Sequence, residues 1–244
     1  MRNIKMIIQY RGTNYAGFQK QPDHPTIQET LNRVLSQILQ EDIDVIGSGR
    51  TDAGVHAKGQ VINFVTGSGT ECGRLKWSAN SLLPEDIVIK EAEEVAKDFH
   101  ARRSAVSRKY RYLVLNRDYR SPFRGDYSYF FSQDLDIEAM QKGSKILIGE
   151  HDFSSFCVAV SKPECCIRYM KSIEILRDND LVYFDFEANA FLHNMVRVIV
   201  GTLIEVGTGE IEVEDMVKIL DAKDRKKAGA TAPAHGLTLM QVIY

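Results

Sequence analysis

The chain lacks any apolar run approaching the roughly 20 residues that a bilayer span requires. Its start, Met1-Arg2-Asn3, passes directly into an alternating pattern without the basic, apolar and cleavage-site succession of a secretory signal. A cytoplasmic protein with no membrane involvement is therefore the expectation. Cysteine is scarce as well: Cys72, Cys157, Cys165 and Cys166 contain no C-x-x-C pair, so free thiols are expected rather than a disulfide framework. A zinc site assembled from His151, Cys157 and the Cys165-Cys166 pair fits no known ligand spacing. The histidines show no H-E-x-x-H arrangement and no G-x-S-x-G elbow is present, which argues against zincin and serine-hydrolase chemistry. Nor is there an excess of one charge: the net charge is −2, so any basic surface for a polyanion has to be local.

What is present suits a soluble α+β protein. At 244 residues, with 44% hydrophobic and 26% charged, the chain can build one large domain or two modest ones without metal or disulfide support. Ile4, Met6, Ile8 and Tyr10 alternate as in a half-buried strand. Thr26 and Glu29 form a capping-box pattern ahead of Ile27, Leu31, Val34, Leu35 and Ile38, which share a helical face. Strands are expected at 43–46, 60–66 and 87–95, with a helix over 74–83 stopped by Pro84. The same order begins again at Ser107: a strand over 107–115, a helix over 136–148, strands over 172–176 and 181–188, a helix over 192–206 and a closing strand over 237–244. Extra segments fall at 127–131 and 212–220. The economical reading is two similar β-α-β-β-α-β halves, 1–104 and 105–244, each with helices on an antiparallel sheet and with a central cleft between them.

Three segments concentrate chemistry. The stretch 47–57, GSGRTDAGVHA, sets three glycines around Asp52 between two strands. It is not a dinucleotide fingerprint, because Asp52 stands where the third glycine belongs and a strand rather than a helix follows. A tight turn with a capping Asp would account for the glycines, but not for Arg50, Asp52 and His56 crowding into it. The second segment is a basic stripe over 100–124, in which Arg102, Arg103, Arg108, Lys109, Arg111, Arg117, Arg120 and Arg124 face only Asp118. Tyr110, Tyr112, Tyr119 and Phe123 interleave with it, pairing phosphate-neutralising charge with flat stacking surface, as RNA binding requires. A solvated edge strand protected by its charges is the alternative. The third is FLHNMVR at 191–197, where Arg197 is the lone cation near the start of an apolar helix. It either faces solvent or holds Asp52 ionised as a nucleophile.

Taken together, GRTDAGVHA, SRKYRY at 107–112 and FLHNMVR resemble the three signatures of the tRNA pseudouridine synthase A family. YRGTNYAGFQ at 10–19, GEHDFSSF at 149–156 and APAHGL at 232–237 extend the likeness over almost the whole chain. The family commonly has an acid where Arg11 stands and a proline where Ala230 stands. The resemblance implies a pseudouridine synthase fold, a homodimer, no metal or organic cofactor, and tRNA as partner, with uridines on the 3′ side of the anticodon stem-loop as targets. It further implies Asp52 as the catalytic residue, Arg50 as the group that displaces and replaces the extruded base, Tyr110 as the stacking ring and Arg197 as the partner of Asp52. A non-catalytic RNA-binding protein or an N-glycosidase releasing free base are the competing readings.

Overall fold

The computed structural model describes residues 1–158 and 164–244, and these form two compact α+β units: Met1–Val106 with Leu239–Tyr244, and Ser107–Thr238.

In the first unit β1 (Arg2–Tyr10) lies between β4 (Ile87–Val95) and β3 (His56–Thr66), antiparallel to both. Ile4, Met6, Ile8 and Tyr10 are buried in alternation, as the two-residue period of a pleated strand dictates. Helix α1 (Ile27–Leu39) begins where the Thr26 hydroxyl accepts the Glu29 N–H at 3.3 Å and buries Ile27, Leu31, Val34, Leu35 and Leu39. Helix α2 (Cys72–Leu82) is capped by Glu71 and packs on α1 and β4. The strand expected at 43–46 is reduced to β2 (Ile46–Gly47), paired with β3. The reason is local: the Ile43 and Val45 N–H groups are taken at 2.9 Å by the Ser36 and Asn32 side chains of α1, which leaves no ladder to form. Residues Leu239–Tyr244 of β10 (Leu237–Ile243), placed by sequence order at the end of the second half, cluster with this unit. Val106 N–H donates to Ile243 O at 2.7 Å and Tyr244 Oη to Ala101 O at 2.8 Å.

In the second unit β5 (Ser107–Asn116), β9 (Leu181–Ala188), β8 (Ile167–Asp178) and β7 (Gly149–Asp152) pair antiparallel in that order, and the short β6 (Tyr129–Phe131) runs parallel on β5. The succession β5-β9-β8 repeats β1-β3-β2 of the first unit, so the repeat read from the sequence is present with β6, β7 and α5 (Asp215–Ala222) added. Helix α3 (Ile137–Lys145) is capped by Asp136 and packs on α4 (Met195–Gly207) and β8. Helix α4 is buried nearly all round, as its apolar composition requires. It starts at Met195 rather than at 192, because Asn194 adopts a left-handed φ of 60° and Met195 N–H closes a turn onto Leu192 O.

Candidate active site

The loop that joins β2 to β3 is held on both flanks of Asp52. On one side the Gln60 amide, fully buried on β3, accepts the Ser48 hydroxyl at 2.6 Å through Oε1 and donates from Nε2 to Gly49 O at 2.9 Å. Ser48 N–H donates to Val61 O at 2.8 Å. At the next step Tyr10 Oη lies 2.9 Å from Thr51 Oγ1. Burial pushes the Tyr10 phenol up to about 12 against the hydrogen bonds from Thr51 and Gln60, so it stays neutral as a structural strut. Beyond Asp52, Val55 N–H returns to Asp52 O at 3.1 Å, closing a turn in which Gly54 takes φ 78°.

A strap from the end of β1 completes the mount. Phe18 N–H donates to Thr51 O at 3.0 Å, and Gly12 N–H donates to His56 Nδ1 at 3.0 Å. The second bond requires an unprotonated Nδ1, so His56 serves here as an acceptor in a buried backbone contact. The strap approaches so closely that a Cβ on Gly12 would lie 2.1 Å from Val55 O, and one on Gly17, at φ 105°, 2.7 Å from Thr51 O. Glycine is therefore needed at both positions. The outcome is a fixed backbone that presents a half-buried Asp52 and an exposed Arg50 two residues apart.

Within the second unit, Tyr110 on β5 is half-buried and meets Phe191 edge-on at 5.0 Å, an interplanar angle of 82°. Arg197, in the first turn of α4, donates from Nε to Ala232 O at 2.8 Å and from Nη1 to Asn194 Oδ1 at 2.6 Å, while Ala232 N–H returns to Arg197 O at 3.1 Å. These bonds tie FLHNMVR to APAHGL and orient the guanidinium. Tyr112, fully buried, donates to Pro233 O at 2.8 Å. Burial drives its phenol far above the usual range, with the Arg197 charge opposing.

Much of the basic stripe on β5 is paired. Arg111 forms a bidentate pair with Asp185 at 2.7 Å, Lys109 and Lys171 both reach Glu187, and Arg108 Nη1 donates to Asn189 O. Cross-strand acids of β9 thus neutralise most of the charge on β5. The Ser107 hydroxyl bond holds Glu187 below the usual carboxylate range, opposed by burial and assisted by Lys171 and Lys109. A depressed folded value means that this stability is present above the ordinary glutamate pKa of about 4.3 and is lost as pH falls through the lower folded value. Glu187→Gln is expected to flatten the acid side of the unfolding-stability profile below about pH 4.3, checked by urea titrations across that range; an unaltered acid slope would rule out this linkage.

No group of three or more His, Cys, Asp or Glu able to hold a metal occurs among the described residues, and His151 Nε2 lies 3.0 Å from Ile148 O. Among the same residues no helix is long and apolar enough to cross a membrane.

A family profile described as tRNA pseudouridine synthase matches residues 6–102 and 144–244. The chain belongs to the tRNA pseudouridine synthase A family. Proteins of that name from Acetivibrio thermocellus, Thermoanaerobacter pseudethanolicus and Brevibacillus brevis are 45%, 43% and 44% identical to it over 244 residues, covering 100% of both chains in each case. The matched stretches of the profile include Arg50, Asp52 and Arg197, whereas Tyr110 lies between them.

The acid loop is marked in the sequence, whereas its support by Tyr10, Ser48, Thr51 and Gln60 is not. The available signal was Gln60 itself, a large amide in the run GQVINF whose neighbours are apolar; a polar side chain buried in such a strand has to satisfy something. Gln60→Leu leaves the Ser48 hydroxyl and the Gly49 carbonyl without this partner and is expected to cost about 2–3 kcal/mol. Denaturant unfolding reads the loss, and a change under about 0.5 kcal/mol would show that the amide is dispensable.

Proposed function

We propose that this chain isomerises uridine to pseudouridine on the 3′ side of the tRNA anticodon stem-loop, with Asp52 as nucleophile and with no metal or organic cofactor. Family membership makes it an isomerase of tRNA uridine; the target position, the residue roles, a homodimeric assembly and a cytoplasmic setting belong to the proposal. One observation carries it: an acid, half-accessible, sits on a backbone pinned on both sides by buried bonds. Such a mount fixes the carboxylate at little entropic cost during reaction.

Pseudouridine formation breaks the N-glycosidic bond, turns the uracil and rejoins it to the sugar through C5, which loses its proton while the freed N1 gains one, so that the product is an isomer. A single carboxylate suffices, because uracil leaves as a stabilised anion and is retained, so the second acid of a glycosidase is not needed. Asp52 attacks the nucleotide after the uridine leaves its stack, which costs a few kcal/mol. Arg50, exposed beside it, fills the vacancy. Tyr110 covers the uracil face and excludes water, and Arg197 supplies the counter-charge to Asp52.

Stacking by Tyr110 is checked by two variants. Tyr110→Phe is expected to keep most of the turnover, while Tyr110→Ala loses about 1–3 kcal/mol of base stacking, read as kcat/KM on unmodified tRNA. Equal losses in the two would assign the work to the hydroxyl instead.

A further inference from the structure

The part of the basic stripe beyond β5 behaves differently from the part on it. Residues 117–128 fold into successive turns: Arg124 N–H donates to Ser121 O at 3.3 Å, and Arg124 O accepts from Tyr127 N–H, Ser128 N–H and the Ser128 hydroxyl at 3.0, 3.0 and 2.9 Å. Ser128 is buried and Pro122 restricts the backbone just before Phe123. Arg117 stacks on the Tyr119 ring at 3.8 Å and is held by Asp180 at 3.3 Å. On this ordered turn Phe123 is 93% exposed, with Tyr119 61% and Tyr127 48% exposed nearby. A lone surface Phe needs no explanation, but three outward aromatics on one short turn do.

Charge indicates what covers them. Arg120 and Arg124 flank Phe123, both are exposed, and neither is in an ion pair among the described residues. Arg117, by contrast, is already neutralised, and the shallow cavity beneath the turn is lined by Asp178 and Asp180 as well as by Arg117 and Arg124. With Arg117 paired to Asp180, Arg120 and Arg124 are equal in number to the acids on the turn, Asp118 and Asp126. Arg120, whose guanidinium also lies 5.7 Å from the Phe130 ring, and Arg124 flank the exposed Phe123 in the order of a phosphate-base-phosphate step of RNA, where the ring stacks and the cations take the backbone. A protein partner would instead have to desolvate both cations to reach the Phe.

We propose that the turn carrying Arg120, Phe123 and Arg124 is an accessory RNA contact, gripping an unstacked nucleotide of the tRNA away from the reacting uridine. It rests on tRNA being the substrate and adds a surface to that reading. The contact supplies affinity and not chemistry.

The test uses the full chain with an unmodified tRNA transcript. Phe123→Ala is expected to raise KM about tenfold, with kcat at saturating tRNA held within about twofold. Phe123→Trp restores KM because it stacks, whereas Phe123→Leu does not. Replacing Arg120 and Arg124 together by Ala lowers the slope of log KM against log salt by about 1.4, the value for two phosphate contacts on a single strand. An unchanged KM in Phe123→Ala would overturn the proposal. So would full rescue by Phe123→Leu accompanied by a change of oligomeric state in Phe123→Ala by light scattering, which would make the turn a protein interface. Failure of the parent reading looks different, since the unaltered protein would then form no pseudouridine at all.

Discussion

Asp52→Asn is expected to lower pseudouridine formation in tRNA by at least about a thousandfold, the scale on which loss of a nucleophile removes the reaction path. The amide keeps the shape of the carboxylate, and the side chain is only half-buried, so the fold and the loop should persist. What goes is the anionic oxygen. Asp52→Ala should lose as much, because neither variant can attack the nucleotide or take a proton from it. Unchanged thermal unfolding alongside the lost turnover assigns the effect to chemistry, and release of free uracil by the parent protein would assign the acid to a glycosidase instead. Attack at the sugar, attack at the ring and proton abstraction all pass through this oxygen, so the prediction is common to the three.

The second large effect is expected from a residue that touches no substrate. A methyl group on Gly12 would stand 2.1 Å from Val55 O, and Gly12 N–H is also the donor to His56 Nδ1. Gly12→Ala therefore forces the strap and the turn 52–55 apart, at a cost of about 1–3 kcal/mol for overpacking. A carboxylate displaced by about 1 Å loses on the order of a hundredfold in rate. Gly69→Ala is the matched control, because its Cβ enters open space. Both variants are compared by kcat on tRNA at a temperature where unfolding curves show each to be folded. Equal kcat values would mean that the strap does not position the loop.

The fold is legible in the sequence where burial is one-sided. Strands β4 and β9 have the bounds that apolar periodicity gives, Ile87–Val95 and Leu181–Ala188, because one-sided burial writes itself into alternation. Helix α1 is legible for the same reason, with Thr26 marking its start. Periodicity carries no information on who takes a backbone N–H, and so 43–46 reads as a strand although Asn32 and Ser36 divert it. Strand β7, four residues of Gly-Glu-His-Asp, has no apolar alternation to notice. The clustering of Leu239–Tyr244 with the first unit is a long-range pairing that no local pattern encodes.

For the site, composition exposed the acid loop, since glycines around Asp52 and Arg50 are conspicuous in any order of reading. Its rigidity was hidden. It comes from Gln60, Tyr10 and the close approach of Gly12, contacts made by residues far from Asp52 along the chain. Charge counting likewise overstated the stripe, because the acids that neutralise Lys109 and Arg111 sit on β9, more than seventy residues on, at Glu187 and Asp185. Only pairing register reveals such neighbours.

The most direct test of the account is a nucleotide-resolution map of pseudouridine in an unmodified tRNA transcript incubated with the protein, in chelator and without added nucleotide, beside the same map with Asp52→Asn. The account predicts new pseudouridine confined to the 3′ side of the anticodon stem-loop with the parent protein and none with the variant. Undiminished modification by Asp52→Asn, or modification only elsewhere in the tRNA, would contradict it.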